Sequence, residues 1–420
     1  MSEYLTYALV LLSLGAYVVL DGYDLGVGIL SLLDRGERRR REYTELIATA
    51  WDANESWIIL GGVALWAGLP GAYATVLPGV YPPLIAMLFA VILRGMGLEF
   101  QSASGTYRRG WGLLFGLASL AVTLCQGLVI GAVLSGLPQR GGHFTGDALA
   151  WLTPYSVLCA LGLVCLYLLA GAAWLQDKTE GTAHEWAGRL GRPLLGATVV
   201  AALVLGFGLE AADPQYFHFE QPLRATLFGL AVAAAVVCSA VAWYGFGRRP
   251  DWRPFAAVLG AEAAGLLALV AATAPVVVPP SLTLHEASSP PGSQVFLVVG
   301  VGLCMPFVLA YNIYAWWVFR GKFREAGRRS PTTTAPDDGS AGPFVPPTEP
   351  RVVVIVRRTL LTLLGILLAA VSQDIFGGES AWVDPLGVAL LSGTALIAWI
   401  LGDRRAQRLG EYDLPGGERP

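Results

Sequence analysis

The chain has 420 residues, 55% of them apolar and only 14% charged, with a mean hydropathy of +0.56 and a net charge of −3. Soluble domains carry roughly 25% charged residues, so the composition excludes an ordinary soluble fold and points to a chain that crosses a membrane many times. No basic stretch interleaved with aromatics is present, which leaves nucleic acid without a footprint.

A hydrocarbon core about 30 Å thick needs about 20 apolar residues per crossing helix. Eleven runs of that kind follow one another, near 5–33, 46–68, 76–98, 112–136, 153–174, 193–212, 222–245, 255–277, 294–319, 352–372 and 384–402. The fold class expected is therefore all-α and integral to the membrane. The first run has no Lys or Arg before Arg35 and exceeds signal-peptide length, so it is expected to be retained as a helix. Loops rich in Lys and Arg face the cytoplasm. Alternate loops here are sharply unequal: Arg35, Arg38 to Arg41, Arg108, Arg109, Arg248, Arg249, Arg320, Arg324 and Arg404 fall on one side, Arg140 and Arg224 on the other. The N-terminus is expected outside and the C-terminus in the cytoplasm, with Arg94 left inside the third run.

Residues 1–320 form the nine-span core, joined by short loops. Residues 321–350, which contain RRSPTTTAPDDGSAGPFVPPTEP, have the Pro, Thr, Gly and Ser content of a cytoplasmic linker that cannot build a core. Residues 351–420 hold two further spans as a C-terminal appendix.

Ionisable groups inside a bilayer are expensive and mark functional paths or buried pairs. The first run carries Asp21 and Asp24, and the second Asp52 and Glu55; each pair is three residues apart and so shares a helix face. Glu99 closes the third run and Glu262 lies within the eighth. At about 1.5 Å per residue, Asp24 lies roughly 15 Å from the cytoplasmic loop, Asp52 roughly 10 Å and Glu55 roughly 15 Å. The acids could hydrogen-bond neighbouring helices, pair with a partner's arginine, form a proton path open to the cytoplasm, or serve cation transport. Gly22, Gly26 and Gly28 include a small-residue step that lets another helix approach closely. Trp57 sits too deep for an interfacial anchor.

The four histidines, His143, His184, His218 and His285, fall in loops or at span ends, while Met87, Met96 and Met305 read as packing residues. Haem ligands are accordingly expected elsewhere than in this chain, and no HxxxH, HExxH or Cys/His cluster suggests a metal site. Cys125, Cys159, Cys165, Cys238 and Cys304 all lie in apolar runs without a CxxC pair.

Three segments taken together, VLDGYDLGVGIL (19–30), WDANESWIILGGVALWAGLPGAYATVLPGVY (51–81) and LRGMGLEF (93–100), resemble subunit II of the cytochrome bd quinol oxidases. VVPPSLTLHEASSP (277–290) is similar to that family's outer loop before the ninth span. The resemblance covers residues 1 to about 320 and implies a bacterial cytoplasmic-membrane complex that oxidises quinol and reduces oxygen to water. It implies b- and d-type haems and the quinol site in a larger partner, subunit I, with no haem ligand, catalytic residue or metal in this chain. By motif position it assigns Asp52 to a proton-entry route with Asp24 as second contributor, and Trp57 to the mouth of an oxygen channel. Residue 53 is Ala where the family has Gly, and residues 328–420 run past the family's usual end. Those extra spans are a candidate for the place that small single-helix accessory subunits take in some of these oxidases; a bound quinone or lipid leaves no sequence mark. A proton- or cation-coupled transporter using the same acids is the alternative.

Overall fold

The computed structural model describes residues 2–318 apart from 35, 49–50, 104–107, 213–218, 220, 249–251 and 280–281. The linker and the two C-terminal spans lie outside the described residues. In chain order the helices are α1 (Ser2–Leu33), α2 (Glu37–Ile47), α3 (Trp51–Gly68), α4 (Pro70–Gly79), α5 (Tyr81–Ala103), α6 (Arg108–Leu134), α7 (Pro154–Lys178), α8 (Thr182–Ala212), α9 (Pro222–Gly245), α10 (Arg253–Thr273), α11 (Leu284–Ala287) and α12 (Pro291–Val318). Two hairpins, β1 (Gln139–Arg140) with β2 (His143–Phe144) and β3 (Val276–Val278) with β4 (Leu282–Thr283), interrupt the helices. Two compact units are distinguished, Met1–Val299 with Ala315–Ala335 and Gly300–Tyr314 with Pro336–Pro420. Helices α1 to α11 all belong to the first.

Eight helices among the described residues, α1, α5 to α10 and α12, are long and apolar enough to cross a membrane. The second expected span is not among these eight. Its apolar part is α3, 18 residues whose first turns carry Asp52, Asn54, Glu55 and Ser56. The chain then breaks at Leu69 and restarts with Pro70 at the head of α4, a position where proline's missing N–H costs nothing. The third span begins at Tyr81 rather than 76, just before the Pro82–Pro83 pair. α8 starts eleven residues before its apolar run, because the polar segment TAHEWAGRLGR is helical as well and Pro193 is accommodated within it.

α1 is the central helix. Residues 21–31 are buried all round, as a helix enclosed on every side must be. It meets α7 almost backbone to backbone: a Cβ on Gly26 would fall on the Tyr167 carbonyl, and one on Gly171 would strike the Gly26 and Val27 backbone. Gly22 makes room for the Tyr167 ring, and Gly28 lies against Ser119 and Phe115 of α6. On its third side α1 receives α3. The buried residues of α3 are Asn54, Trp57, Gly61, Ala64 and Gly68; this alternating three- and four-residue spacing is one helical stripe. Gly61 faces Leu14, and Gly68 faces Thr6 and Leu297.

The two ends of the bundle are tied differently. At the end expected to face the cytoplasm, Asp34 accepts hydrogen bonds from Arg39 Nε (2.7 Å), Gly36 N (2.8 Å) and Tyr43 Oη (2.7 Å), turning α1 into α2. Burial opposes the charge on Asp34, but these donors outweigh it and hold the carboxyl below its usual value. Burial, reinforced by Asp34, pushes the Tyr43 phenol up. At the other end, Gly141 and Gly142 both have positive φ and close the β1–β2 hairpin in a two-residue turn. Thr283 and Glu286 form a capping box at α11, and His285 Nδ1 lies 3.0 Å from Glu3 Oε1 of α1.

Candidate functional site: a buried acid cluster around Arg94

The site is assembled where α1, α3 and α5 converge. Arg94 of α5 is fully buried. Its guanidinium holds Asp21 in a two-pronged pair, Nη1 to Oδ2 at 3.0 Å and Nη2 to Oδ1 at 2.8 Å. Nη1 also donates to Glu55 Oε1 at 2.6 Å, and Nη2 lies 4.0 Å from Asp24 Oδ2. Such forked pairing is how a guanidinium fixes carboxylates in place. Asp24 is held by Asn54, whose Nδ2 lies 2.7 Å from Oδ2 and is shared with Tyr23 Oη at 3.0 Å and the Leu20 carbonyl at 3.1 Å. Tyr23 in turn packs on Trp174 of α7 (4.7 Å between centroids) and edge-on against Phe255 of α10 (5.3 Å).

Three carboxyls therefore surround one cation. The surplus of acid over base lets the cluster gain or lose a proton while Arg94 keeps a counter-ion at every stage. Two of its polar atoms, Asp24 Oδ1 and Arg94 Nε, are buried with no hydrogen-bond partner among the described residues. Buried polar atoms of this kind are usually completed by water.

Of the sequence candidates, Asp21, Asp24 and Glu55 meet in the cluster, with Asp21 and Asp24 fully buried and the Glu55 side chain 14% exposed. Asp52 does not join them. It stands exposed in the first turn of α3, off the buried stripe and one turn from Glu55. Glu99 is exposed on α5. Trp57 is 2% exposed, within the α3 face that packs on α1, and its indole N–H has no partner among the described residues. Gly22, Gly26 and Gly28 lie at the α1 contacts with α6 and α7. Sequence reasoning missed Arg94 and Asn54 as partners; the signal for Arg94 was that it alone remained inside a span when the basic residues were sorted into loops.

The described histidines do not fit the axial ligation of a membrane haem. His143 is in the β1–β2 hairpin, His285 is exposed against Glu3, and both ring nitrogens of His184 face backbone carbonyls, Gln176 at 2.7 Å and Arg248 at 2.9 Å. None of these three is placed to hold a haem iron.

Fold and site together define a helical membrane protein with a charged cluster enclosed in its bundle. The family model described as cytochrome bd terminal oxidase subunit II matches residues 2–319. This chain belongs to the cytochrome bd terminal oxidase subunit II family. Among individual relatives it is 30% identical over 221 residues to "Probable cytochrome oxidase subunit 2" of Haemophilus influenzae, covering 50% of this chain and 58% of that one. It is 31% identical over 192 residues to "Cytochrome bd-I ubiquinol oxidase subunit 2" of Escherichia coli K12, covering 43% and 50%. The matched stretch thus spans little more than half the length of these two relatives. To "Cytochrome bd ubiquinol oxidase subunit 2" of Bacillus subtilis it is 26% identical over 330 residues, covering 75% of this chain and 95% of that one. The fold resembles a chain of the bd oxidase structure from Geobacillus thermodenitrificans, with a TM-score of 0.62 at 18% identity, covering 76% of this chain and 99% of that one.

Proposed function

We propose that this chain is the subunit of a bd-type terminal oxidase that carries no haem ligand, and that it delivers protons from the cytoplasm to a larger haem-bearing partner, subunit I. The partner would hold b- and d-type haems, oxidise quinol and reduce oxygen to water. The chain would lie in a bacterial inner membrane with its N-terminus outside. Family membership favours this over a proton- or cation-coupled transporter.

The observation that carries the proton-delivery reading is the graded exposure of the acids: Asp52 exposed, Glu55 partly exposed, Asp21 and Asp24 enclosed. Asp52 collects a proton at the surface. Glu55, one turn along α3, passes it inward to the carboxyls that share Arg94. Asn54 positions Asp24 at the inner end, and Trp57, wedged between α3 and α1, keeps the route narrow and dry on its outer side. The apolar run after Trp57, together with that residue, is the candidate oxygen path, since oxygen needs no polar guide. Ser56, one turn deeper on the same exposed face of α3, is unfavourable for lipid, which fits cover by subunit I there with Asp52 left at its cytoplasmic edge. Small single-helix subunits, or the appendix 351–420 in their stead, would complete the assembly.

The test is purification of the tagged chain from its native membranes in mild detergent. Haem absorbance with a second large helical subunit is the expected result. A colourless chain alone, from membranes that contain the oxidase, would contradict the proposal.

A further inference from the structure

Outside the Arg94 cluster, one carboxyl group among the described residues has both oxygens enclosed without a hydrogen-bond partner. Glu262 of α10 is 4% exposed, and both its carboxyl oxygens are buried without a hydrogen bond from any described residue. A bare carboxyl with neither donor nor cation is among the costliest groups to bury.

Its height in the bundle follows from two contacts. Gly15 of α1 lies opposite Leu266, and Tyr23 meets Phe255 edge to face. These two helices run antiparallel, so Glu262 falls level with Tyr17 to Val19, about one turn from Asp21. The atoms around that level share one property. The hydroxyls of Tyr17 and Tyr167 and the Oε1 of Gln126 are all buried with no hydrogen-bond partner among the described residues. They come from α1, α7 and α6, while Glu262 comes from α10. Tyr17 comes within weak hydrogen-bonding reach of Asp21 and Tyr167 within that of Gln126, though neither pair has the alignment of a well-formed bond. Tyr167 lies within electrostatic reach of Tyr17, Glu262 and Asp21, and Tyr17 within reach of Asp21, Arg94 and Glu55.

Unsatisfied atoms also occur singly elsewhere, on Thr6, Thr198 and Ser289 among others. Here four helices direct theirs to one level, beside a cluster that has unsatisfied atoms of its own. Natural interiors leave few buried polar groups unpaired and complete most of them with ordered water. We infer that Tyr17, Tyr167, Gln126 and Glu262 line a chamber of internal water that continues from the Asp21–Arg94 cluster, and that Glu262 is a proton-holding site at its far end. The transfer is proton exchange only. A cluster carboxyl gives its proton to the nearest water, each water passes one on, and Glu262 receives one; no electrons move and no other bond changes. The proposal rests on the proton-delivery reading for its biological use, though not for its geometry.

The experiment is infrared spectroscopy of the full chain in the complex purified from its own membrane, transferred from H2O to D2O. The expected result is a carboxyl C=O band that shifts on deuteration, disappears in Glu262→Gln and moves in Glu262→Asp, which keeps the acid if the amide fails to assemble. Tyr167→Phe, which removes only a hydroxyl, should slow that shift about a hundredfold, the lower end of the range for losing a positioned proton donor. A band unaffected by both Glu262 variants, or one that does not exchange, would overturn the chamber. Proton uptake by the same preparations separates the two claims. Normal uptake in Glu55→Gln with rapid exchange at Glu262 would overturn delivery and leave the chamber. Lost uptake in Glu55→Gln with an inert Glu262 would do the reverse.

Discussion

The α1–α3–α5–α7 region and the outward-facing helices α8 and α9 are built from similar apolar residues but solve different problems. In the first, helices touch through Gly26, Gly171, Gly61 and Gly68, and charged groups are enclosed. In the second, Phe207, Val236, Val237 and Tyr244 are exposed and only Ala231 and Ala242 of α9 are buried. Apolar side chains gain nothing by leaving lipid for a protein interior of the same polarity. Close backbone approach secures the charged groups of α1, α3 and α5, while the side chains of α8 and α9 that face away from the bundle are left as surface.

Substitutions in the two regions should differ accordingly. The largest effect is expected for Arg94→Leu, which strands three carboxyls; loss of one partner from a buried ion pair costs about 3–5 kcal/mol. Detergent-unfolding midpoints and haem content of the purified complex would measure it, and a stable, fully loaded complex would erase the contrast between the regions. Gly26→Ala places a methyl on the Tyr167 carbonyl and should cost at least about 1–3 kcal/mol, as overpacking does. Asn54→Ala removes the donor to Asp24 and should cost about 1–3 kcal/mol, the range for an orphaned buried acceptor.

Asp34→Asn should cost about 1.5 kcal/mol near neutral pH, at the low end for hydrogen bonds to a charged group. The folded carboxyl sits below its unfolded value, so its contribution is complete above the unfolded value of about 3.9 and fades as pH falls through the folded one. Wild-type and variant unfolding curves should accordingly converge in acid; a gap that widens there would refute the sign. The smallest effect is expected for Val237→Ala on α9, within about 0.5 kcal/mol in the same unfolding assay.

The acids of the cluster were legible because any carboxylate in an apolar run stands out. Their pairing was not, since Arg94 lies 73 residues from Asp21 and only the fold brings them together. Asn54 carries no charge and stands among stronger signals, and nothing in the sequence says which acid it would hold. The exposed position of Asp52 could have been read from the stripe Asn54, Trp57, Gly61, Ala64, Gly68, which leaves residue 52 outside it; the acid spacing drew attention first. The early start of α8 was hidden because hydropathy detects the lipid-facing part of a helix and not its polar extension. The Gly141–Gly142 turn carried a hairpin signal, but two residues per strand are too few to show a pattern.

The most direct test of the central claim, that the Arg94-centred acids carry protons inward, is oxidase turnover of Glu55→Gln at matched haem content, with the solvent isotope effect. The account predicts a fall of about a hundredfold or more with a larger isotope effect, the lower end of what a positioned proton donor contributes. Wild-type turnover with an unchanged isotope effect would contradict it.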